Sequence, residues 1–560
     1  MSRLTFRGFE MCNNHMWKWE TVSRALDFME KFHMNALIFH QFDLLDQVIL
    51  PEKYFNEEEM WAYWPIRYCA IGTNGQYIRK VIREAKERGI RFYFEVKEIW
   101  YPEALLDKYP GLRKESGHIC PTDPFWFRFL EDKVQELTHQ FPDMAGVIVS
   151  PATRESKVTI SANQCHCERC RQTRQEDWYY QYLKAVYTPL KEAGKEMVVR
   201  DFAYSTGAQS AVLEATKRCG DEIVMALKNV PHDFWPTFPD NPAIPCYQDR
   251  EMWIEYDAWG QYCGVGIFPC GLVEDMRRRF ANCEKYGCSG MWVRTDWELL
   301  DESSCMNTFS TLNLIAAALL AYDSHCTEEE IYQAWTEYGL MSPLQEESKQ
   351  RIPEMPRASD AAVRLQSFMN ASWSILEKAL YVRGHVFNYS SRFQHAYRSI
   401  YNVMNVYHQK IQWEPDSANE IEPTEENLKI IFEEKRKAMS EAGKLGAILD
   451  IDTLGVSDEL AHDLKEILDL YQYYVEGFYH MAKVYFGMRK AADSRKERDL
   501  EQVIRFNEEL ADFCRRLQDR LRDTAYPFYV YWTMDVDELK LLHRDIENMV
   551  QKCKPAIAGE

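Results

Sequence analysis

The fold is decided by one repeated unit, which residues 77–96 show clearly: Tyr77-Ile-Arg-Lys-Val-Ile-Arg-Glu-Ala-Lys-Glu-Arg-Gly-Ile-Arg-Phe-Tyr-Phe-Glu-Val96. The first twelve residues have the apolar spacing of an amphipathic helix, and Gly89 ends that helix. A short apolar run, typical of a buried strand, follows at once. A helix that leads through a turn into such a strand is the unit of a parallel α/β fold.

The same unit recurs along roughly the first 325 residues, and it yields eight predicted strands. Eight strands that alternate with helices favour a closed (β/α)8 barrel. An open doubly wound sheet would need a glycine-rich phosphate loop after its first strand, and Gly8 stands alone there. The seventh strand is the weakest of the set. The predicted strands cover residues 4–11, 36–42, 90–96, 145–150, 196–202, 222–227, 244–247 and 290–294.

Strand signals disappear after Tyr322, and long amphipathic helices with charges of alternating sign take their place. We therefore predict an α/β chain with two domains. A (β/α)8 barrel catalytic domain spans residues 1–325, and an all-α C-terminal domain spans residues 326–560.

Composition narrows the classes of partner. The 560 residues carry a net charge of −20, which argues against nucleic acid and anionic membranes as partners. No run of about 18 apolar residues is present, so no transmembrane helix is expected. The N-terminus lacks the pattern of a secretory signal, and the 16 cysteines are scattered, so we expect reduced thiols and a cytoplasmic location. A cytoplasmic enzyme would act on small imported molecules.

Polar and aromatic side chains crowd the positions just past the predicted strands, where barrel enzymes build their active sites. Carboxylates outnumber other candidate catalytic groups, and glycoside hydrolysis uses two of them. A Gly-x-Ser-x-Gly elbow and a His-Glu-x-x-His motif are both missing from the sequence. We therefore predict an exo-acting glycoside hydrolase for small glycosides. The predicted substrate-binding residues are Glu10, His40, Trp100, Arg200, Lys228, Trp235, Trp253, Trp292, Arg294 and Asp296.

Residues 222–253 carry a resemblance to a known family. They include Lys228-Asn-Val-Pro-His-Asp-Phe234 and then Gln248-Asp-Arg-Glu251. This is similar to the Lys-Tyr-x-Pro-x-Asp-Phe-Gln and Gln-Glu-Tyr segments of the α-glucuronidases of glycoside hydrolase family 67, as a distant relative. The resemblance implies inverting hydrolysis of a glycoside, in which Asp233 and Glu251 activate water. It also implies that Glu155 is the general acid, that catalysis needs no cofactor, that the sugar is acidic and that the helical domain forms a homodimer.

Two alternatives stay open. A sialidase-like or hexosaminidase-like barrel hydrolase would use a different pair, such as Glu10 with His118. A catalytically inactive carbohydrate-binding protein of the same fold would use none. Hydrolysis of a panel of glycosides separates these alternatives.

A cysteine cluster, Cys165-His-Cys-Glu-Arg-Cys170, is the other conspicuous motif. Cys165, Cys167 and Cys170 have donor types suited to a structural zinc ion, and His118 and Cys120 are candidates for the fourth ligand. The alternative is a loop of thiols without metal. Neither interpretation gives the cluster a catalytic role.

Overall fold

The computed structural model describes residues 4–12, 14–114, 117–203, 205–345, 352–407 and 409–558. Its core is a closed barrel of eight parallel strands, as the sequence predicts. Each strand pairs with its sequence neighbours, and the first strand pairs with the last to close the barrel. The strands are β1 Phe6–Met11, β2 Ala36–His40, β3 Arg91–Val96, β4 Gly146–Val149, β5 Glu196–Arg200, β6 Val224–Lys228, β7 Met252–Asp257 and β8 Gly290–Arg294.

Seven strands lie where the sequence predicts them, and the seventh does not. Residues 244–247 contain a 3₁₀ turn, Ile244–Cys246, and the true β7 begins at Met252. The proline at position 245 cannot donate to a strand ladder, which explains why this stretch leaves the barrel. Because β7 begins later in the chain than predicted, the residues expected just after the seventh strand lie before it or within it.

Within the part of the barrel region that the structure describes, eleven α-helices accompany the strands. Helices pack around the outside of the barrel, with the exception of the connection from β6 to β7, which has only the short 3₁₀ turn. The helices are α1 Trp19–Lys31, α2 Leu44–Val48, α3 Glu57–Tyr63, α4 Pro65–Glu87, α5 Ala104–Lys108, α6 Pro124–Gln140, α7 Glu168–Gln172, α8 Gln175–Glu192, α9 Thr206–Cys219, α10 Val273–Lys285 and α11 Thr311–Tyr322.

Among the described residues of the remaining chain, the regular structure is helical apart from one small hairpin, β9 Tyr381–Val382 with β10 His385–Val386. The boundary expected at residue 325 falls in the turn between α11 and α12. No helix within the described residues combines the length and the apolar character that crossing a membrane requires. The helices are α12 Glu328–Tyr338, α13 Ala361–Leu380, α14 Tyr397–Asn402, α15 Glu425–Ala442, α16 Leu445–Leu449, α17 Asp458–Ser494, α18 Glu497–Arg522, α19 Phe528–Thr533 and α20 Val536–Ala558.

Alternate residues of each strand point into the barrel and form layers. The lower layer is apolar, and the ring of Phe6 stacks on Trp253 with centroids 3.6 Å apart. The inward positions two residues further along the strands are mostly polar, and they face the mouth at the carboxyl ends. The lower layer consists of Phe6, Ala36, Ile38, Tyr93, Ile148, Val198, Val224, Ala226, Trp253 and Trp292.

The helical domain packs on the loop after β7. Phe268 of that loop stacks on Tyr474 of α17 with ring centroids 4.1 Å apart. The hydroxyl of Tyr381 donates to the carbonyl of Tyr262 at 2.9 Å. Nε2 of Gln261 donates to Oγ of Ser390 at 2.9 Å, which brings the loop at residues 388–391 of the helical domain to the loop after β7.

Candidate active site

A buried ionic layer forms the bottom of the mouth. We call it the polar floor, and it consists of Glu10, His40, Glu95, Arg200 and Glu255. Arg200 donates to both carboxylate oxygens of Glu255, at 2.6 and 2.5 Å. Its Nη1 also lies 3.1 Å from Oε1 of Glu95. Burial raises the pKa of Glu95 well above its ordinary value, Arg200 opposes this, and the charges of Glu10 and Glu255 add to it.

His40 connects the polar floor to a cavity above it. Its Nδ1 lies 2.8 Å from Oε1 of Glu10. Burial lowers the pKa of His40, and the nearby charges of Lys97 and Arg200 lower it further, so the ring is neutral. A neutral ring that donates through Nδ1 leaves Nε2 as an acceptor. That atom is buried and has no partner within the described part of the chain.

The cavity measures about 220 Å³ and lies between the loops that follow β1, β2, β3 and β8. Phe42 and Trp100 supply aromatic walls, with ring centroids 6.4 Å apart. The indole Nε1 of Trp100 is buried without an acceptor among the described residues. The cavity thus presents an unused acceptor, an unused donor and aromatic faces. Its lining residues are Cys12, Asn14, Met16, His40, Gln41, Phe42, Asp43, Trp100 and Glu298.

Two lysines link the cavity to two carboxylates of the mouth. Nζ of Lys97 lies 5.0 Å from the centroid of the Phe42 ring and 3.3 Å from Oε2 of Glu155. Lys97 and Lys228 both face the ring of Phe202, at 4.6 and 3.7 Å from its centroid. Glu155 therefore belongs to the same site as the ion pair of Lys228.

Asp233 is the partner of Lys228 in that ion pair. Its Oδ1 lies 2.8 Å from Nζ of Lys228, and its Oδ2 accepts from the hydroxyl of Tyr262 at 2.6 Å. Burial favours the neutral acid, but Lys228 and Tyr262 outweigh it and hold the pKa of Asp233 well below its ordinary value. Burial lowers the pKa of Lys228 to about 8, so this lysine is still mainly charged at neutral pH. Asp233 is consequently a fixed anion.

Tyr389 of the helical domain stands at the same mouth. Burial raises the pKa of its hydroxyl, and the negative charges of Asp233, Glu155 and Glu298 raise it further. These three carboxylates come from the loops after β6, β4 and β8, and all of them act electrostatically on the hydroxyl of Tyr389. The helical domain completes the site.

The loop that carries Glu155 is supported from below by Glu98. Oε1 of Glu98 accepts from the backbone N–H of Ala152 at 3.0 Å. Oγ of Ser156 accepts from the backbone N–H of Glu98 at 2.9 Å. Burial raises the pKa of Glu98 to about 7. These contacts tie the loop after β3 to the loop after β4.

Two sequence-predicted site residues lie at the wrong end of the barrel. Glu251 precedes β7 at the amino ends of the strands, where it accepts from Nε1 of Trp253 and Oγ of Ser289. Trp253 points into the apolar lower layer. Both predictions are corrected for one reason: the strand assigned to residues 244–247 is β7 at Met252–Asp257, so residues expected after the strand lie before it or within it.

The other predicted binding residues divide between the cavity and its surroundings. His40 and Trp100 line the cavity. Glu10 and Arg200 belong to the polar floor, and Lys228 holds Asp233. The remaining four are buried and serve as supports, as the following contacts show: Trp292 donates to Glu10 at 2.7 Å, Trp235 packs 5.2 Å from Tyr262, Arg294 donates to Gln261 at 2.6 Å, and Asp296 accepts from the N–H of Cys12 at 2.7 Å.

Sequence reasoning missed Glu255, Phe202 and Tyr389. Glu255 was hidden by the misplaced β7, because Glu255 and Asp257 interrupt the apolar run of this strand. Phe202 follows β5 directly, where barrel site residues are expected. Tyr389 reaches the mouth because the two domains pack together. A contact between domains cannot be predicted from a local sequence pattern.

Two groups of metal-type ligands exist in the described part of the chain. In the first group, Glu10 bonds to His40 and the thiol of Cys12 donates to the carbonyl of Asp296, so protein contacts account for it. The second group contains the cysteines singled out from the sequence together with Cys120.

The two residues of the alternative catalytic pair lie in different environments. Glu10 is fully buried in the polar floor, whereas His118 is exposed on the loop after β3.

The fold of this chain, a (β/α)8 barrel followed by a helical domain, is shared with solved structures. The chain is similar to a GH138 enzyme targeting pectin rhamnogalacturonan II, with a TM-score of 0.64 and 12% identity over 100% of this chain and 84% of that chain. It also matches an O-GlcNAc hydrolase of Thermobaculum terrenum (TM-score 0.40, 11% identity, 99% and 95% covered). A GH20 exo β-N-acetylglucosaminidase from Vibrio harveyi matches with a TM-score of 0.38 at 15% identity, over 59% and 56% of the chains. No known protein-family profile matches the sequence.

Proposed function

We propose that this protein is a glycoside hydrolase that removes single sugars from small glycosides or oligosaccharides. The observation that carries the proposal is that Lys97 and Lys228, which both face the ring of Phe202, hold Glu155 and Asp233 beside a cavity that has unused hydrogen-bonding groups. Two carboxyl groups are the chemical requirement for hydrolysis of a glycosidic bond. The substrate is a small carbohydrate, and no cofactor takes part in the chemistry.

The cavity supports binding of a sugar. A pyranose has hydroxyl groups that donate and accept, and it has an apolar face that packs on aromatic rings. Nε2 of His40 would accept from one hydroxyl, and Nε1 of Trp100 would donate to another. A buried polar group without a partner calls for an explanation, and a bound sugar supplies one. The volume of about 220 Å³ is below the roughly 300–1,000 Å³ of drug-sized pockets, which favours one sugar ring and hence exo action.

The carboxylates divide the chemistry between them. Asp233 stays ionised beside Lys228, so it suits the base that activates water. Glu155 is then the general acid that protonates the leaving oxygen, the role that the resemblance to family 67 also gives it. Inversion at the anomeric carbon follows from a base that acts through water.

The class of sugar is the finer part of the proposal. Lys97 lies between the rings of Phe42 and Phe202, so it is the cation best placed to hold a carboxylate of an acidic sugar. Its protein partner Glu155 would be freed when the sugar carboxylate replaces it. An acidic sugar is therefore the preferred substrate class.

A panel of nitrophenyl glycosides tests the proposal. The panel contains glucuronides, galacturonides, N-acetylhexosaminides, sialosides and neutral hexosides in both anomeric forms. We expect release of nitrophenol from a glucuronide or a galacturonide. Release from an N-acetylhexosaminide or a sialoside would favour the hexosaminidase-like or sialidase-like alternative. Binding of a free sugar without any hydrolysis would identify an inactive carbohydrate-binding protein and refute the proposed activity.

A further inference from the structure

Four cysteines from two loops converge beside the barrel mouth, and we call them the thiol cluster: Cys120, Cys165, Cys167 and Cys170. All four Sγ atoms lie within 4.8 Å of one another. Cys120 follows β3, whereas the other three follow β4. We propose that the thiol cluster binds one structural zinc ion, with the four thiolates as its complete ligand set.

The distances fit tetrahedral coordination. A Zn–S bond of about 2.3 Å places the corners of a regular tetrahedron about 3.8 Å apart. Sγ of Cys120 lies 3.7 Å from Sγ of Cys167 and 3.5 Å from Sγ of Cys170. A disulfide needs about 2.05 Å and consumes cysteines in pairs. The arrangement in which one sulfur approaches two others equally therefore favours a shared ion.

The surroundings of the cluster also differ from those of an ordinary buried cysteine. Cys120, Cys165 and Cys170 are 2%, 6% and 8% exposed, yet their side chains pack against each other and not into the main apolar core. The N–H of Cys170 donates to Sγ of Cys167 at 3.5 Å. A bound metal ion would explain why four sulfur atoms lie so close to one another.

Binding balances as a proton exchange. Zn²⁺ displaces the four thiol protons, and the resulting tetrathiolate carries a net charge of −2. Arg169 and Arg171 flank Cys170 in α7. Their positive charges would offset the negative charge of the tetrathiolate. Their hydrogen bonds to the carbonyls of Thr122 and His166 hold the two arginines at the cluster. His118, the alternative fourth ligand from the sequence, is not part of the group.

The ion would join the two loops that border the proposed active site. Further contacts run in parallel with it: Nε1 of Trp178 donates to the carbonyl of Pro121 at 2.8 Å, and the hydroxyl of Tyr182 donates to the carbonyl of Lys97 at 3.0 Å. Zinc would hold the loop that carries Glu155 against the loop that carries Lys97. The site itself does not depend on the proposed hydrolase activity.

Metal analysis of the full-length protein, purified without chelators, tests the proposal. We expect inductively coupled plasma mass spectrometry to find about one zinc ion per chain. Cys120→Ser and Cys170→Ser should lose it, whereas Cys219→Ser, which alters a partly buried cysteine elsewhere on the barrel, should retain it. Cobalt(II) in place of zinc should give the intense visible bands of a tetrahedral thiolate site.

A measurement on the unaltered protein keeps the test independent of variants that fail to fold. Titration with a mercurial reagent that modifies thiols should release the zinc in step with modification of the cluster, as a metallochromic dye reports. Folded protein that holds no zinc after incubation with excess zinc would overturn the proposal. A disulfide between two of these cysteines, which intact-mass measurement detects as the loss of two hydrogens, would also overturn it. Equal loss of zinc from Cys219→Ser would do the same. None of these readouts involves sugar hydrolysis.

Discussion

Arg154 and His232 share a left-handed backbone conformation, with φ of 65° and 73°, and each immediately precedes a carboxylate of the mouth. Arg154 precedes Glu155, and His232 precedes Asp233. Residues other than glycine, asparagine, aspartate and histidine seldom adopt this conformation, and strain of this kind is common at functional sites. The two proposed catalytic groups thus sit on loops that are held in a costly shape by the surrounding structure.

The backbone at position 154 can be tested with a matched pair of variants. Arg154→Gly and Arg154→Val both remove the guanidinium group, so their difference isolates the backbone. Glycine adopts a positive φ freely, whereas a β-branched residue pays about 1–2 kcal/mol or more. We expect Arg154→Val to unfold at lower denaturant concentration than Arg154→Gly and to have the lower kcat. Equal stability of the two variants would show that the conformation is not held in solution.

Glu98 should make stability depend on pH. Burial raises its pKa to about 7 in the folded protein from about 4.5 when unfolded, so the folded state binds its proton more tightly. The stabilisation is fully present below the unfolded value and is lost as pH rises through the folded value. Relative to Glu98→Gln, the unaltered protein should lose about 2–3 kcal/mol of unfolding free energy between about pH 5 and about pH 8. Denaturant unfolding of both proteins at the two pH values measures this difference, and parallel pH profiles would contradict it.

Tyr389 should affect hydrolysis although it belongs to the helical domain. Its hydroxyl lies in the electrostatic field of the three carboxylates, so Tyr389→Ala is expected to lower kcat/KM by about tenfold, which corresponds to about 1.4 kcal/mol of transition-state stabilisation. Tyr389→Phe keeps the ring and separates its packing from the role of the hydroxyl. Steady-state kinetics on the substrate found in the panel give both values. An unchanged kcat/KM for Tyr389→Ala would remove the helical domain from the active site.

The homodimer remains a prediction that rests on the resemblance to family 67. Several large apolar side chains of the helical domain are exposed, including Val363, Ile430 and Leu541 at 64%, 42% and 47%. Apolar side chains that a partner covers would account for this exposure. Light scattering at micromolar concentration should give twice the mass of the chain. A monomeric mass would leave these side chains as ordinary surface residues.

Much of the fold was predictable because the barrel repeats a strong local pattern. Seven strands have short apolar runs bounded by turn residues, and the register of side chains within them follows from the period of two. The seventh strand escaped because Glu255 and Asp257 interrupt its apolar pattern. Those acids are tolerated inside the barrel since Arg200 neutralises Glu255 and backbone N–H groups bind Asp257. Such compensation comes from distant residues, so local sequence does not reveal it.

The candidate site was predictable only in part, for the same reason. Asp233 and Glu155 lie on loops that follow correctly predicted strands, so both reach the mouth. Glu251 was assigned through the misplaced β7 and lies at the opposite end. The cluster of thiols shows the same limit, because Cys120 is 45 residues from Cys165 and only the folded chain brings them together.

The most direct test of the central claim compares three amide variants on two substrates of the same sugar, one with a nitrophenyl leaving group and one with an alkyl leaving group. Asp233→Asn should lose turnover of both substrates, because both need an activated water. Glu155→Gln should lose about 10²–10⁴-fold on the alkyl glycoside and little on the nitrophenyl glycoside, which needs no protonation. Glu251→Gln, at the far end of the barrel, should match the unaltered enzyme on both. Full activity of Asp233→Asn, or loss of activity confined to Glu251→Gln, would contradict the account.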